Sequence, residues 1–195
     1  NGEGAPRSLV LNFNQNFIET ISVYLLRGEA VETLLAQGEL APFSARPIAT
    51  AKLAVPFRLG PGGEGTVYVA YTSDGSSGLS LNLLERDRFE AMRAATLAKN
   101  FGYFGMMLLL AVLGLLAFAM TRQGTFLAYS GFALAILLYV MHRDGYTFQF
   151  LWPDAPVFNA DASIPTGAGV IIMGATYTRA FLRTPRLHPV FDRIL

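Results

Sequence analysis

The sequence contains no cysteine in 195 residues, so disulfides, thiolate zinc sites and thiol nucleophiles are excluded. Histidine is nearly as scarce, with His142 and His188 the only two. They are expected at opposite ends of the apolar half, which leaves no basis for a His-based metal site or a Ser-His-Asp triad. Charged residues make up only 15% of the chain and hydrophobic ones 52%, both shifted toward a membrane protein. Net charge is +1, which argues against nucleic acid as a partner. The sharpest absence lies in residues 100–120, NFGYFGMMLLLAVLGLLAFAM, which carry no Asp, Glu, Lys or Arg. About 20 such residues span a bilayer as a helix, and a soluble helix would keep a polar face. Two further apolar runs follow, at 126–141 and 164–182.

The first half of the chain reads differently. Leu9, Leu11 and Phe13 fall on one strand face, as do Ile21, Val23 and Leu25, then Val67, Val69 and Tyr71, then Leu79, Leu81 and Leu83 with Ser80 and Asn82 opposite. Period-2 alternation marks strands with one buried face. Gly60-Pro61-Gly62-Gly63 and Asp74-Gly75-Ser76-Ser77-Gly78 punctuate them as turns. Pro42, Pro47 and Pro56 favour edge or irregular strands between 41 and 59. The expected fold is an all-β jelly-roll or sandwich domain over 1–88, followed by an α-helical transmembrane bundle over 89–195. Its three helices are expected at about 100–120, 126–141 and 164–182.

Residues 85–99 contain no Gly or Pro and are rich in helix formers, so they predict a helical connector feeding straight into the first membrane helix. Phe89, Met92 and Thr96 recur at helical spacing and are expected to face the β domain. Arg122-Gln123-Gly124 is a tight turn, and 142–161 a longer aromatic loop. Tyr146, Phe148 and Trp152 suit the headgroup layer, and Ser163 is placed to cap the third helix. In that helix Gly167 and Gly174 share a face with Thr178, and Gly102, Gly105 and Gly114 recur in the first; small residues let helices approach closely in lipid. Packing within the chain is the expected use of these faces, with homodimerisation the alternative. Arg179 and Arg183 are expected to snorkel to the headgroups.

Two motifs invite over-reading. His142-Arg143-Asp144 matches the start of a kinase catalytic loop, but the downstream Asn, the Gly-rich ATP loop and the strand Lys are missing. It reads as a charged turn at the interface. The glycines at 60–65 precede no helix and so read as a strand turn, not a phosphate cradle. In the β domain, Tyr24, Phe43, Arg46 and Tyr68 combine aromatic faces with hydrogen-bonding groups, as ligand surfaces do. The plainer alternative is that the tyrosines cover exposed strand faces and Phe43 fills a core edge.

Several stretches together carry a resemblance: Gly38-Glu39-Leu40-Ala41-Pro42-Phe43-Ser44-Ala45-Arg46-Pro47, Val67-Tyr68-Val69-Ala70-Tyr71-Thr72-Ser73-Asp74-Gly75-Ser76, the run Asp144-Gly145-Tyr146-Thr147-Phe148-Gln149-Phe150-Leu151-Trp152-Pro153-Asp154, and Arg179-Ala180-Phe181-Leu182-Arg183-Thr184. In this order the chain resembles the bacterial seven-transmembrane receptors with diverse intracellular signalling modules. The family often has Arg where this chain has Ala70. The resemblance implies a carbohydrate-binding-like jelly roll in the periplasm and helices in the inner membrane. It also implies a cytoplasmic output such as a diguanylate cyclase, histidine kinase or phosphatase. Asn1 in place of Met suggests a piece of a longer protein. Expected partners are the lipid bilayer, a carbohydrate-like ligand or periplasmic protein, and a second copy of the chain. No catalytic residue, metal or cofactor is expected within it. The rival is a membrane-anchored β module that docks another envelope protein. A transporter is disfavoured, since no helix core carries a buried charge.

Overall fold

A computed structural model describes residues 5–15, 18–38, 40–72 and 79–183. The expected turn at 74–78, the Thr184-Pro185 stop, His188 and the basic residues Arg186 and Arg193 lie outside the described residues. The chain divides into two compact units, one of residues 1–96 with 144–160, the other of 97–143 with 161–195.

Alternation in the first half produces six strands: β1 (Arg7–Phe13), β2 (Thr20–Arg27), β3 (Ala30–Gly38), β4 (Ala54–Leu59), β5 (Thr66–Thr72) and β6 (Leu81–Glu85). They form two antiparallel three-stranded sheets, β4-β1-β6 and β3-β2-β5. Leu11, Phe13, Val55 and Phe57 of the first sheet share one buried cluster with Ile21, Val23, Leu25 and Leu35 of the second. Pro56, opposite Val10, lies in a strand at a sheet edge, where a missing N–H leaves no ladder bond unmade. Strand β3 has no clean alternation to betray it. It follows from the two-residue hairpin Gly28-Glu29, where Gly28 adopts φ +62° as tight hairpins require. Leu81 and Leu83, expected on the buried face, are exposed in this edge strand; Leu79 packs on the cluster between the sheets as expected, and Leu84 packs on the opposite face.

Helix α1 (Arg86–Thr121) runs unbroken for 36 residues. At about 1.5 Å per residue that is about 54 Å, well beyond the ~30 Å hydrocarbon core, so its polar first part projects beyond any bilayer that its apolar part spans. Phe89 is buried with Val10 and Ala54 on the outer face of the β4-β1-β6 sheet. Met92 and Thr96, expected beside it, are exposed. The half-buried position one turn on is Arg93, four residues from Phe89 rather than three. Arg93 donates to the Ala49 carbonyl at 3.4 Å and pairs with Glu90.

Four more helices follow: α2 (Gly124–Arg143), α3 (Tyr146–Phe150), α4 (Pro156–Asp161) and α5 (Ser163–Leu182). The stretch expected as an aromatic loop is therefore largely helical, and it belongs to the β-containing unit. Helices α1 and α2 are long and apolar enough to cross a membrane; α5 has the expected place and length but falls short in hydropathy, its hydroxyl and glycine residues diluting the apolar run. Along α1, Leu108, Leu109, Leu113 and Leu116 are each about half exposed, apolar surface that lipid tails would solvate. Both α1 and α5 end on an arginine in the left-handed region, Arg122 at φ 58° and Arg183 at φ 51°.

Candidate functional site

The densest polar and aromatic convergence in the β-containing unit is at Arg46. Pro42 leads into a 3-10 turn, Phe43–Ala45, and the chain leaves it extended at Arg46. The Arg46 Nη1 donates to the carbonyls of Thr50 at 2.8 Å and Ala51 at 2.7 Å. Its guanidinium carbon lies 5.0 Å from the Phe43 ring centre and 5.4 Å from that of Phe148, and the two rings meet edge to face at 5.7 Å. Desolvation by burial lowers its pKa to about 10, so the group stays charged at neutral pH. The Phe43 N–H donates to the Pro153 carbonyl at 3.0 Å. Phe148 and Tyr146 are buried, Thr147 completely so, and Tyr146 stacks on Phe150. Trp152 donates through its indole N–H to Asn159 Oδ1 at 3.0 Å and packs edge-on against Phe158.

Beside this cluster lies a cavity of about 50 Å³ bounded by Arg46, Gln37, Ile21, Leu53, Phe148 and Asn159, among others. It admits water or one small polar group, whereas a benzene-sized guest occupies about 150 Å³. The Gln37 Oε1 is buried with no hydrogen-bond partner, as is the Oε1 of Gln149. Among the described residues no group of three His, Cys, Asp or Glu side chains comes together to hold a metal.

In the helical unit α2 packs along α5. Phe132 stacks on Tyr177 at 6.0 Å, and a side chain added at Gly174 would meet the Phe132 ring at 3.1 Å. Gly167 faces Tyr139 at ordinary contact distance. Helix α1 approaches α2 at Gly114, where an added methyl would run into Ser130 Oγ and the Tyr129 ring. The Ser130 hydroxyl, almost fully buried, lies 2.9 Å from the Ala111 carbonyl and 3.0 Å from that of Phe126. Gly102 and Gly105 face open space. His142 Nε2 and Ser163 Oγ, 3.0 Å apart, tie the end of α2 to the start of α5. Ser163 thus spends its hydroxyl on a neighbouring helix, and Ala162 holds the cap position without a side-chain bond.

Residues 98–195 match the family described as 7TM diverse intracellular signalling, and residues 1–85 match the one described as 7TMR-DISM extracellular 2. The chain belongs to the 7TMR-DISM receptors. No curated protein and no solved structure matches it. Membership makes it a membrane sensory receptor with an extracellular sensor domain and transmembrane helices.

The four β-domain residues that the sequence suggests for ligand contact fall into two groups in this 7TMR-DISM chain. Tyr24 and Tyr68 are direct cross-strand partners on the outer face of the β3-β2-β5 sheet, with Tyr68 55% exposed. Phe43 and Arg46 converge with Phe148 instead. Thr178 is half-buried, and Arg179 and Arg183 are exposed. What sequence reasoning missed is Phe148 as a partner of Arg46 and Ser130 as a partner of Gly114. The aromatic density of 146–158 was a signal for the first. The one serine in the apolar run 126–141 was a signal for the second.

Proposed function

We propose that this receptor chain is a multi-pass protein of the bacterial inner membrane. Its β domain is a periplasmic sensor of jelly-roll type, and α5 joins α1 and α2 as a third span. A carbohydrate-like ligand or a periplasmic protein binds the β domain and biases two arrangements of the helices, which set a cytoplasmic output. The exposed Tyr68, with the half-buried Tyr24 opposite it, offers aromatic surface for such a partner. The observation that carries this reading is α1: one uninterrupted helix runs from Phe89, in the buried cluster on the β sheet, into the apolar run. A ligand that favours one state of the β domain has, in that helix, a stiff element through which to act.

Orientation tests the reading first. Glu64→Cys and Gln123→Cys variants of the full-length receptor are labelled in intact cells with a membrane-impermeant thiol reagent. Position 64 should label and position 123 should not. Labelling at 123 alone would mean that the β domain faces the cytoplasm, and the sensor assignment would fall.

A further inference from the structure

The segment between α2 and α5 is not a passive loop. Residues 144–160 fold as part of the β-containing unit, where Tyr146, Thr147 and Phe148 are all buried, while Phe150, Leu151, Val157 and Phe158 stay exposed. Three contacts hold the segment to the turn at 43–46. These are the Arg46 guanidinium against the Phe43 and Phe148 rings, the edge-to-face contact of those rings, and the hydrogen bond from Phe43 N–H to the Pro153 carbonyl. Arg46 is itself anchored on the other side by the Thr50 and Ala51 carbonyls, so it cannot follow one partner without pulling on the other. The segment's own ends run directly into α2 and α5, and His142 and Ser163 join those helix ends to each other.

We propose that this Arg46–Phe43–Phe148 clasp is a second transmission contact of the receptor, which couples the turn at 43–46 of the sensor domain to the paired ends of α2 and α5, in parallel with α1. The inference rests on the receptor reading but adds a route which that reading does not require. The chemistry suits a coupling that must hold and still shift. A guanidinium between two rings is attracted to both faces without a single fixed geometry, while its two bonds to backbone carbonyls set the register. The cavity has Arg46, Phe148 and Gln37 among its walls. Any group that enters it therefore touches both halves of the clasp.

Amide hydrogen exchange on the full chain in lipid nanodiscs tests this without a ligand or an output domain. Arg46→Gln removes the cation–π contacts and the charge-assisted bonds, and Phe148→Leu removes one ring while keeping an apolar side chain. Each should speed exchange by about tenfold across 144–160, and also in the last turn of α2 and the first turn of α5. Protection in β1, β2 and the apolar part of α1 should stay unchanged, which excludes general unfolding. Arg46→Lys keeps a charge near the rings and donors for the carbonyls but loses the planar guanidinium face, and should give an intermediate effect. If exchange rises only within 43–53 and 144–160, with the ends of α2 and α5 unmoved, the clasp is local packing and the proposal fails. That outcome is separate from failure of the receptor reading, which the labelling experiment decides.

Discussion

The close approach at Gly114 makes a prediction in which one helix supplies its own control. Gly105 and Gly114 both lie in the apolar part of α1, yet an added methyl meets nothing within 4 Å at Gly105 and collides with Ser130 Oγ and the Tyr129 ring at Gly114. Alanine is favoured over glycine in a helix by about 0.8–1 kcal/mol, so Gly105→Ala should stabilise by up to that amount. Forcing a methyl group into packed surroundings costs about 1–3 kcal/mol, so Gly114→Ala should destabilise on balance. The helix gain is common to both, so the two variants should differ by the clash alone, about 1–3 kcal/mol, in thermal unfolding in detergent. Ser130→Ala alone loses an interhelical hydrogen bond worth on average ~0.6 kcal/mol in membranes. It also removes the nearest obstacle, so Gly114→Ala should cost less in that background, and a double-mutant cycle measures the difference. A Gly114→Ala variant as stable as Gly105→Ala would mean that α1 and α2 do not meet there.

Two other predictions concern the helices. Replacing Ala94-Ala95 in α1 with Gly-Gly should cost about 1 kcal/mol of helix stability per residue and uncouple the output of the full-length receptor from its stimulus, while membrane insertion persists; unchanged stimulus dependence would remove α1 as a rigid transmitter. Gly174→Leu, against the Phe132 ring, should lower thermal stability in detergent more than Gly169→Leu, which faces open space; equal melting would rule out a tight contact between α5 and α2 at that point.

The strands with clean alternation were legible because a half-buried strand writes its burial directly into the sequence: β1, β2 and β5 contain the alternating sets at 9–13, 21–25 and 67–71. Strand β3 was not, because at an edge its burial narrows to Leu35, with Leu34 packed beside it, and Glu32 and Gln37 give no rhythm. The connector helix was legible from propensity, but its inward face was not. Phe89 fixes that face, and whether the stripe then steps by three or four depends on what it packs against. Tyr146 and Phe148 show the limit most plainly. Aromatic residues flanking a membrane helix have a ready place in the headgroup layer, and only the fold places Phe148 against Arg46, 102 residues earlier. Likewise, three glycines in α1 look equivalent in sequence, and the position of Ser130 singles out one of them.

If the proposed orientation holds, the arginines that end α1 and α5 serve two stages of the protein's life with opposite preferences. In the finished fold, a left-handed residue with a side chain costs roughly 1–2 kcal/mol that glycine would avoid, so Arg122 and Arg183 are the strained choice at φ 58° and 51°. During synthesis no such backbone yet exists, and what the insertion machinery meets is the sign of the charge beside each emerging apolar run. A basic residue in a short loop keeps that loop on the cytoplasmic side. In the proposed orientation both arginines lie on the cytoplasmic side, so the strained backbone at these two helix ends would be what a topogenic charge costs the finished fold.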